Sequence, residues 1–270
     1  MKTWFLYQVV LLLVLSTLIK THVETKAIEG RIISGSQATP GQFPYHVLLK
    51  KDEIDTVLCG GSIISNLWVL TAAHCTNGLP SVMMVFGTIY RSVSALNMTS
   101  NQIFIHPQYN PANLNNDVSL IQLPTPLSFT SYIQPISLVT PTQAANGFLG
   151  DSAIITGYGY TDDEYLDNPE TLLWAQVEIV DNSACLACFT NKTVNDKTMC
   201  AKGYNGTNMS ICSGDSGGAL VWQDQNNNYV QIGINSFVAE DMCTENYPSG
   251  YVKLSAYLDF IASVSGISSS

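Results

Sequence analysis

A chain of 270 residues that is 46% hydrophobic and only 12% charged carries enough apolar surface for a large core, which excludes a disordered or low-complexity protein. Its formal net charge of -10 at pH 7 repels phosphate backbones and argues against nucleic acid as a partner. Seven cysteines in one chain point to an oxidising compartment.

The chain opens with Lys2 and an apolar run from Trp4 to Leu15 that fades by Ile19. This reads as a secretory signal peptide over residues 1–20, cut somewhere within 16–25. The run falls short of the roughly 20 residues that a spanning helix requires, so no membrane association is expected. A polar segment, 21–31, follows and ends in Ile28-Glu29-Gly30-Arg31, directly before Ile32-Ile33-Ser34-Gly35. A basic residue before an apolar Ile-Ile-x-Gly reads as a processing site and 21–31 as a propeptide. Residues 1–31 hold no cysteine, so a cut after Arg31 would free the leader completely. The remaining chain has 7 basic and 19 acidic residues and a net charge of -12.

From Phe43 onward the texture changes to short apolar, β-branched runs bounded by turn residues. They cover 43–49, 57–64, 68–71, 82–86, 103–105 and 118–123, with Asn77-Gly78, His106-Pro107 and Asn110-Pro111 as punctuation. After Pro141 the pattern resumes at 153–156, 173–180, 218–222, 229–234 and 250–254. Short strands at near-regular spacing predict an all-β sandwich or barrel. One helix is expected at the C-terminus, capped by Ser255, with Leu258, Ile261 and Val264 as its apolar stripe.

The chemistry centres on Cys212-Ser213-Gly214-Asp215-Ser216-Gly217-Gly218. Ser216 lies between glycines that lend backbone freedom to a side chain meant to reach a substrate. A serine hydroxyl is a weak nucleophile until an oriented histidine takes its proton. The four histidines, His22, His46, His74 and His106, all precede Ser216. The stretch also fits a G-x-S-x-G elbow, but there the histidine follows the serine, and here none does.

With Thr71-Ala72-Ala73-His74-Cys75 and Asn116-Asp117-Val118-Ser119-Leu120, the Ser216 segment makes the chain resemble the chymotrypsin-type (trypsin-fold) serine endopeptidases. The order His, Asp, Ser matches. So do the start at Ile32, the Cys59-Gly60-Gly61-Ser62 strand and the Tyr257–Ile261 helix, and the 248–260 stretch is similar to arthropod members. The resemblance runs from Ile32 to about Ile261. It implies an all-β fold of two packed six-stranded antiparallel β-barrels with a C-terminal α-helix. The first barrel would cover about 32–140, the second about 141–254 and the helix about 255–265, within a protease domain of 32–270.

The resemblance further implies that Ser216, His74 and Asp117 form the catalytic triad, that the N–H groups of Gly214 and Ser216 form the oxyanion hole, and that Asp215 pairs with the Ile32 amino group freed by cleavage after Arg31. His46 and His106 read as structural. Ser236, beside the aspartate, starts a segment through Phe237 to Val238 on which the substrate backbone would pair. The pocket floor falls on Ser210 and two wall positions on Val238 and Ser249. A serine floor leaves a buried substrate cation unpaired, so an uncharged P1 side chain is expected, small to medium and apolar with Val238 crowding the mouth, or a large ring as the competing expectation.

Implied partners are protein or peptide substrates, a trypsin-like activating protease and protein protease inhibitors. No cofactor is implied. The family's calcium loop uses carboxylates, and residues 81–101 contain no Asp or Glu, so no metal site is expected. The resemblance pairs Cys59 with Cys75, Cys185 with Cys200 and Cys212 with Cys243, leaving Cys188 spare, with displacement of Cys185 from its bridge or pairing between chains as the alternatives. Sequons occur at Asn97, Asn191, Asn205 and Asn208, Asn97 being the best candidate for sugar and Asn208 the worst. The run Asp162-Asp163-Glu164 reads as a solvated acidic loop, with a bias on substrates near the cleft as the alternative. A catalytically silent homologue acting as a binding or toxin-like module is the alternative from another class.

Overall fold

The computed structural model describes residues 32–51, 56–93, 96–164, 166–239 and 242–269. The stretches read above as a signal peptide, 1–20, and a propeptide, 21–31, lie outside them together with the expected cleavage residue Arg31. The first half of the chain forms β1 (Ser36–Gln37), β2 (His46–Lys50), β3 (Val57–Ile63), β4 (Trp68–Thr71), β5 (Val82–Phe86), β6 (Leu96–Ser100), β7 (Ile103–Ile105), β8 (Ser119–Gln122) and β9 (Ser137–Leu138). The second forms β10 (Ser152–Gly157), β11 (Leu173–Val180), β12 (Thr198–Gly203), β13 (Ala219–Gln223), β14 (Tyr229–Phe237) and β15 (Ser249–Lys253). Short helices are α1 (Ala73–Thr76), α2 (Pro141–Ala145), α3 (Asn182–Leu186) and α4 (Leu258–Ser265).

The strands make two antiparallel barrels. In the second, the order β11-β10-β13-β14-β15-β12 closes on itself through β11–β12, a ring of six. β11 shows the pattern that a barrel wall demands, since Leu173, Ala175, Val177 and Ile179 are buried and the residues between them half-buried. The first barrel runs β6-β5-β2-β3-β4-β8-β7. β6 pairs with β5 and β7 with β8, and only Asn101 and Gln102 separate them. They are two halves of one strand that bends and changes partner, which brings this barrel to six as well. The bend is held by Ser100 Oγ, which donates to the Gln122 carbonyl at 2.6 Å and accepts from the Gln102 N–H at 3.0 Å.

Two segments of the first half are built into the second barrel: β1 pairs with β11, and β9 runs parallel to β14. The apolar core is continuous across both barrels. Buried polar bonds cross the seam, from Ser62 Oγ to Gln231 Oε1 at 2.7 Å and between His46 Nδ1 and Thr156 Oγ1 at 2.9 Å. The β3–α1 segment and the loop before β13 are thereby held face to face.

The C-terminal helix begins later than the Ser255 cap predicts. Ser255 lies inside a tight turn at Leu254–Ala256, and α4 starts at Leu258 with no side-chain cap. The Tyr257 N–H donates to the Leu254 carbonyl at 2.9 Å, which turns the chain before the helix begins. Ile261 is buried as the stripe predicts, and Gly266 ends the helix at φ 74° in the left-handed region. Among the described residues no helix is long and apolar enough to cross a membrane.

Three disulfides, Cys59–Cys75, Cys185–Cys200 and Cys212–Cys243, brace the barrels, and Cys188 is free and exposed. Closing loops of 15 and 16 residues contributes about 3 kcal/mol each in the chain-entropy account.

Candidate active site

The site lies at the seam of the barrels. β4 carries the chain into α1, a single turn that projects His74 from the end of a buried strand. The Cys59–Cys75 bridge ties that turn to β3. Asp117 enters from the turn before β8, where Leu114 and Asn116 both take positive φ. Its carboxylate is fully buried. Oδ1 accepts the backbone N–H of His74 at 2.8 Å, while Oδ2 lies 2.8 Å from His74 Nδ1 and accepts from Ser236 Oγ at 2.6 Å. A buried carboxylate needs such donors to replace the water it has lost. Together they fix the plane of the carboxylate and, through it, the imidazole. His74 keeps 27% of its side-chain surface exposed, enough to face a cleft.

Ser216 is on the loop between Cys212 and β13. Its carbonyl accepts from the Gly60 N–H at 2.7 Å, and the Gly217 N–H donates to the Asn235 carbonyl at 2.8 Å. Asn235 Nδ2 also donates to the Asp215 carbonyl at 2.9 Å. The loop is thus stitched to β3 on one side and β14 on the other. Gly217 sits at φ +79°, and a Cβ there would lie 2.1 Å from Thr71 Oγ1 and 2.5 Å from the Gly60 carbonyl. Gly214, at φ +101°, would put a Cβ 2.9 Å from the Gly159 Cα. Both positions need glycine for conformation and for space. Among the described residues the N–H groups of Gly214 and Ser216 donate to no protein acceptor, so both remain available for an incoming anion.

The Ser216 side chain is half-buried and makes no hydrogen bond to His74. His74 Nε2 faces Cys75 Sγ at 3.7 Å. Such bonds are commonly long in sites without substrate and tighten when it binds. Histidine and serine nevertheless share one small region, because Gly217 packs on Thr71 and Ala72, two residues before His74.

Asp215 is fully buried behind this loop. Its Oδ1 accepts the Gly159 N–H at 2.7 Å and its Oδ2 the Cys212 N–H at 2.9 Å. Burial pushes its pKa up to about 7, against the opposing pull of those two backbone bonds. Among the described residues no cation pairs with it. Ile32 and Ile33 are buried, and Ile33 bridges to Ser210.

Around the expected pocket, Ser210 is buried, and Val238 packs against a cluster of Ile33, Cys212 and Cys243. Ser249 is buried with its Oγ 2.7 Å from the Tyr251 hydroxyl. The Phe237 side chain leaves this group. Its ring lies where a Cβ on Gly250 would sit, with centroids 4.9 Å from Phe189, and stays half-buried against the Cys185–Cys200 cluster.

His46 and His106 are engaged elsewhere. Burial pushes His46 down to about 3, which keeps it neutral beside Thr156. His106 is stacked against Tyr257 and Phe260. Cys59, His74 and Cys75 come close together, as do Asp163, Cys212 and Cys243, but all four sulfurs are in disulfides and offer no thiolate to a metal. Asn97, Asn191 and Asn205 are exposed, whereas the Asn208 amide is occupied by Ser34 Oγ and the Thr244 carbonyl.

Two features escaped the sequence reading. Asn235 braces the nucleophile loop, and only its place before Ser236 hints at it. Asp163 is not a solvated charge: its carboxylate accepts from the N–H groups of Cys243 and Thr244, each at 2.9 Å, and from the Thr244 hydroxyl. Its partners are 80 and 81 residues away, so no local pattern reveals them.

Comparison with known proteins agrees with this geometry. The family model described as trypsin matches residues 32–261. The chain is 34% identical over 243 residues to a collagenase of Hypoderma lineatum, covering 88% of this chain and 89% of that one. It is 35% identical to serine protease 1 of Drosophila melanogaster, covering 92% and 91%, and 33% identical to brachyurin of Leptuca pugilator, covering 87% and 99%. The solved structure of HL collagenase superposes with a TM-score of 0.77 at 32% identity, covering 87% of this chain and 99% of that one.

Proposed function

The chain belongs to the trypsin family of serine endopeptidases, and from that premise we propose that it is secreted as a zymogen, activated by cleavage after Arg31, and hydrolyses peptide bonds that follow uncharged apolar residues. The observation that carries the reading is the buried Asp117 carboxylate, which receives both the N–H and Nδ1 of His74 beside a nucleophile loop whose two oxyanion-hole N–H groups are free.

In this reading His74 Nε2 takes the Ser216 proton as Oγ attacks the scissile carbonyl, and the new oxyanion accepts hydrogen bonds from the Gly214 and Ser216 N–H groups. Losing one such donor costs on the order of 3 kcal/mol of transition-state stabilisation. His74 then protonates the leaving amine, and water attacks the acyl-enzyme by the reverse sequence. Asp117 holds the tautomer with hydrogen on Nδ1 and stabilises the imidazolium. Exchanging Asp117 for Asn should therefore lower kcat by about ten-thousand-fold at pH 7, read by single-substrate kinetics.

The P1 preference rests on Ser210 as a neutral floor and on Val238 at the mouth. Ala, Val, Leu and Met are expected to be cleaved fastest. The test is to remove the leader with immobilised trypsin, sequence the new N-terminus and assay peptides with Arg, Phe, Leu and Ala at P1. An Ile32 start with faster turnover of Leu and Ala than of Arg supports the reading; preference for Arg would refute it. Because collagenases are among the similar proteins, native collagen belongs in the substrate panel. A Val238→Gly variant should raise the Phe-to-Ala ratio of kcat/KM by about tenfold, since losing the isopropyl group makes room for a ring and one methylene in an apolar pocket is already worth about that much.

An enzyme that avoids P1 Arg does not cut itself at Arg31, so a separate trypsin-like activator is implied. An Arg31→Gln protein exposed to that activator should stay roughly a hundred- to a thousand-fold less active, the effect of leaving Asp215 without its partner.

A further inference from the structure

We propose that Asp163 is a positioning residue for P1 selection, clamping the pocket rim at Cys243–Thr244 to the loop 159–168. The inference rests on the reading of Ser210, Val238 and Ser249 as the P1 pocket.

The rim is tied to neighbouring segments by the Cys212–Cys243 disulfide and by Asn208, while among the described residues its local main chain adds little. Its own backbone bonds are turn contacts of 3.3 Å, from the Met242 N–H to the Ala239 carbonyl and from the Glu245 N–H to the Met242 carbonyl. Against these, one carboxylate gathers two N–H groups at 2.9 Å and a hydroxyl. Bonds to an ionised acceptor are about twice as strong as neutral ones. Burial pushes the Asp163 carboxyl up, and the Thr244 hydroxyl, the Thr244 N–H and the Cys243 N–H together outweigh it, leaving the group below its ordinary value and ionised at neutral pH.

What the clamp holds is mechanically connected to the pocket. Cys243 is bridged to Cys212, whose N–H donates to Asp215, and the disulfide packs with Ile33 against Tyr160 and Val238. Asn208, two residues before the floor at Ser210, donates its Nδ2 to the Thr244 carbonyl at 3.4 Å. Thr244 is therefore gripped by loop 159–168 on one side and by the floor segment on the other. The same loop donates the Tyr160 N–H to the Ser213 carbonyl at 2.8 Å. Asp163 thus fixes the distance between the rim and the nucleophile loop from outside the pocket. Side chains that fill the pocket depend on that distance, and a P1 alanine does not.

The experiment compares the activated wild type with Asp163→Asn and Thr244→Val on peptides with Ala, Leu and Phe at P1. An asparagine turns an N–H donor toward the rim N–H groups, so Asp163→Asn should raise KM for Leu and Phe by about tenfold, with kcat within about twofold and alanine unaffected. Thr244→Val keeps both backbone bonds and should shift the same substrates by about threefold. Equal losses for all three peptides, or an unmoved KM in both variants, would overturn the proposal. Should Asp163→Asn not fold, Thr244→Val decides alone. If the wild type cleaves none of the peptides, the functional reading fails, and amide hydrogen exchange at Cys243 and Thr244 judges the clamp. Protection in the wild type that Asp163→Asn loses supports it, and equal exchange in both overturns it.

Discussion

Replacing Ser216 with alanine should lower kcat by about a million-fold while leaving the fold intact. The Ser216 side chain makes no hydrogen bond among the described residues, so stability should stay within about 0.5 kcal/mol of the wild type. The loop keeps its place through main-chain bonds to Gly60 and Asn235, which do not involve the hydroxyl. Peptide binding should persist. The double variant with His74→Ala should be no slower than the single one, because residues that act as a unit are not additive. Measuring kcat, KM and Tm together checks this. A variant that retains substantial turnover would remove Ser216 as the nucleophile, and one that unfolds would make the loss uninformative.

The second large effect concerns Asp215 and pH. In the uncleaved chain its pKa is raised from 3.8 to about 7 by burial. A raised carboxyl binds its proton more tightly in the folded state, so its contribution is fully present below about pH 4 and is lost as pH rises through about 7. Moving a carboxyl that far is worth on the order of 4 kcal/mol above pH 7. The uncleaved wild type should therefore lose stability relative to Asp215→Asn between pH 4 and pH 8. If cleavage after Arg31 activates the chain as proposed, the Ile32 ammonium offers a counter-charge that favours the carboxylate, and that pH-dependent loss should shrink or reverse. Thermal melts of both proteins, before and after activation, check the sign. In the same assays Asp215→Asn should activate poorly, since the pair that holds the oxyanion loop cannot form. Melts of wild type and variant that run parallel at every pH would mean that Asp215 is paired before cleavage.

Both results depend on motifs that are compact in the sequence. His74, Asp117 and Ser216 stand out because each sits in a short run whose neighbours have their own duties. Ala72 and Thr71 receive Gly217, Asn116 takes the positive φ that turns Asp117 inward, and Gly214 and Gly217 are the residues that fit. Most strands were legible for a similar reason, since β4, β5, β7 and β11 are uninterrupted β-branched or alternating runs between turn residues. β12, with the sequence Thr-Met-Cys-Ala-Lys-Gly, was not, because only Thr198 in that composition favours a strand. It exists because β11 and β15 pair with it on both sides. The short β1 and β9 are likewise made by their partners.

The sequence by itself determined the strand-rich core and the family, and set the expectation of three catalytic side chains and a neutral pocket floor, all of which are written in local patterning and residue type. Only the tertiary structure decided that β6 and β7 are one bent strand, that the Phe237 ring packs on Phe189, that Asp215 is buried with no cation beside it among the described residues, and that the Asp163 carboxylate accepts from Cys243 and Thr244. Each of these depends on groups brought together from distant parts of the chain. Hydrogen bonding and burial act on distance in space, and a separation of 80 residues leaves no trace in local pattern.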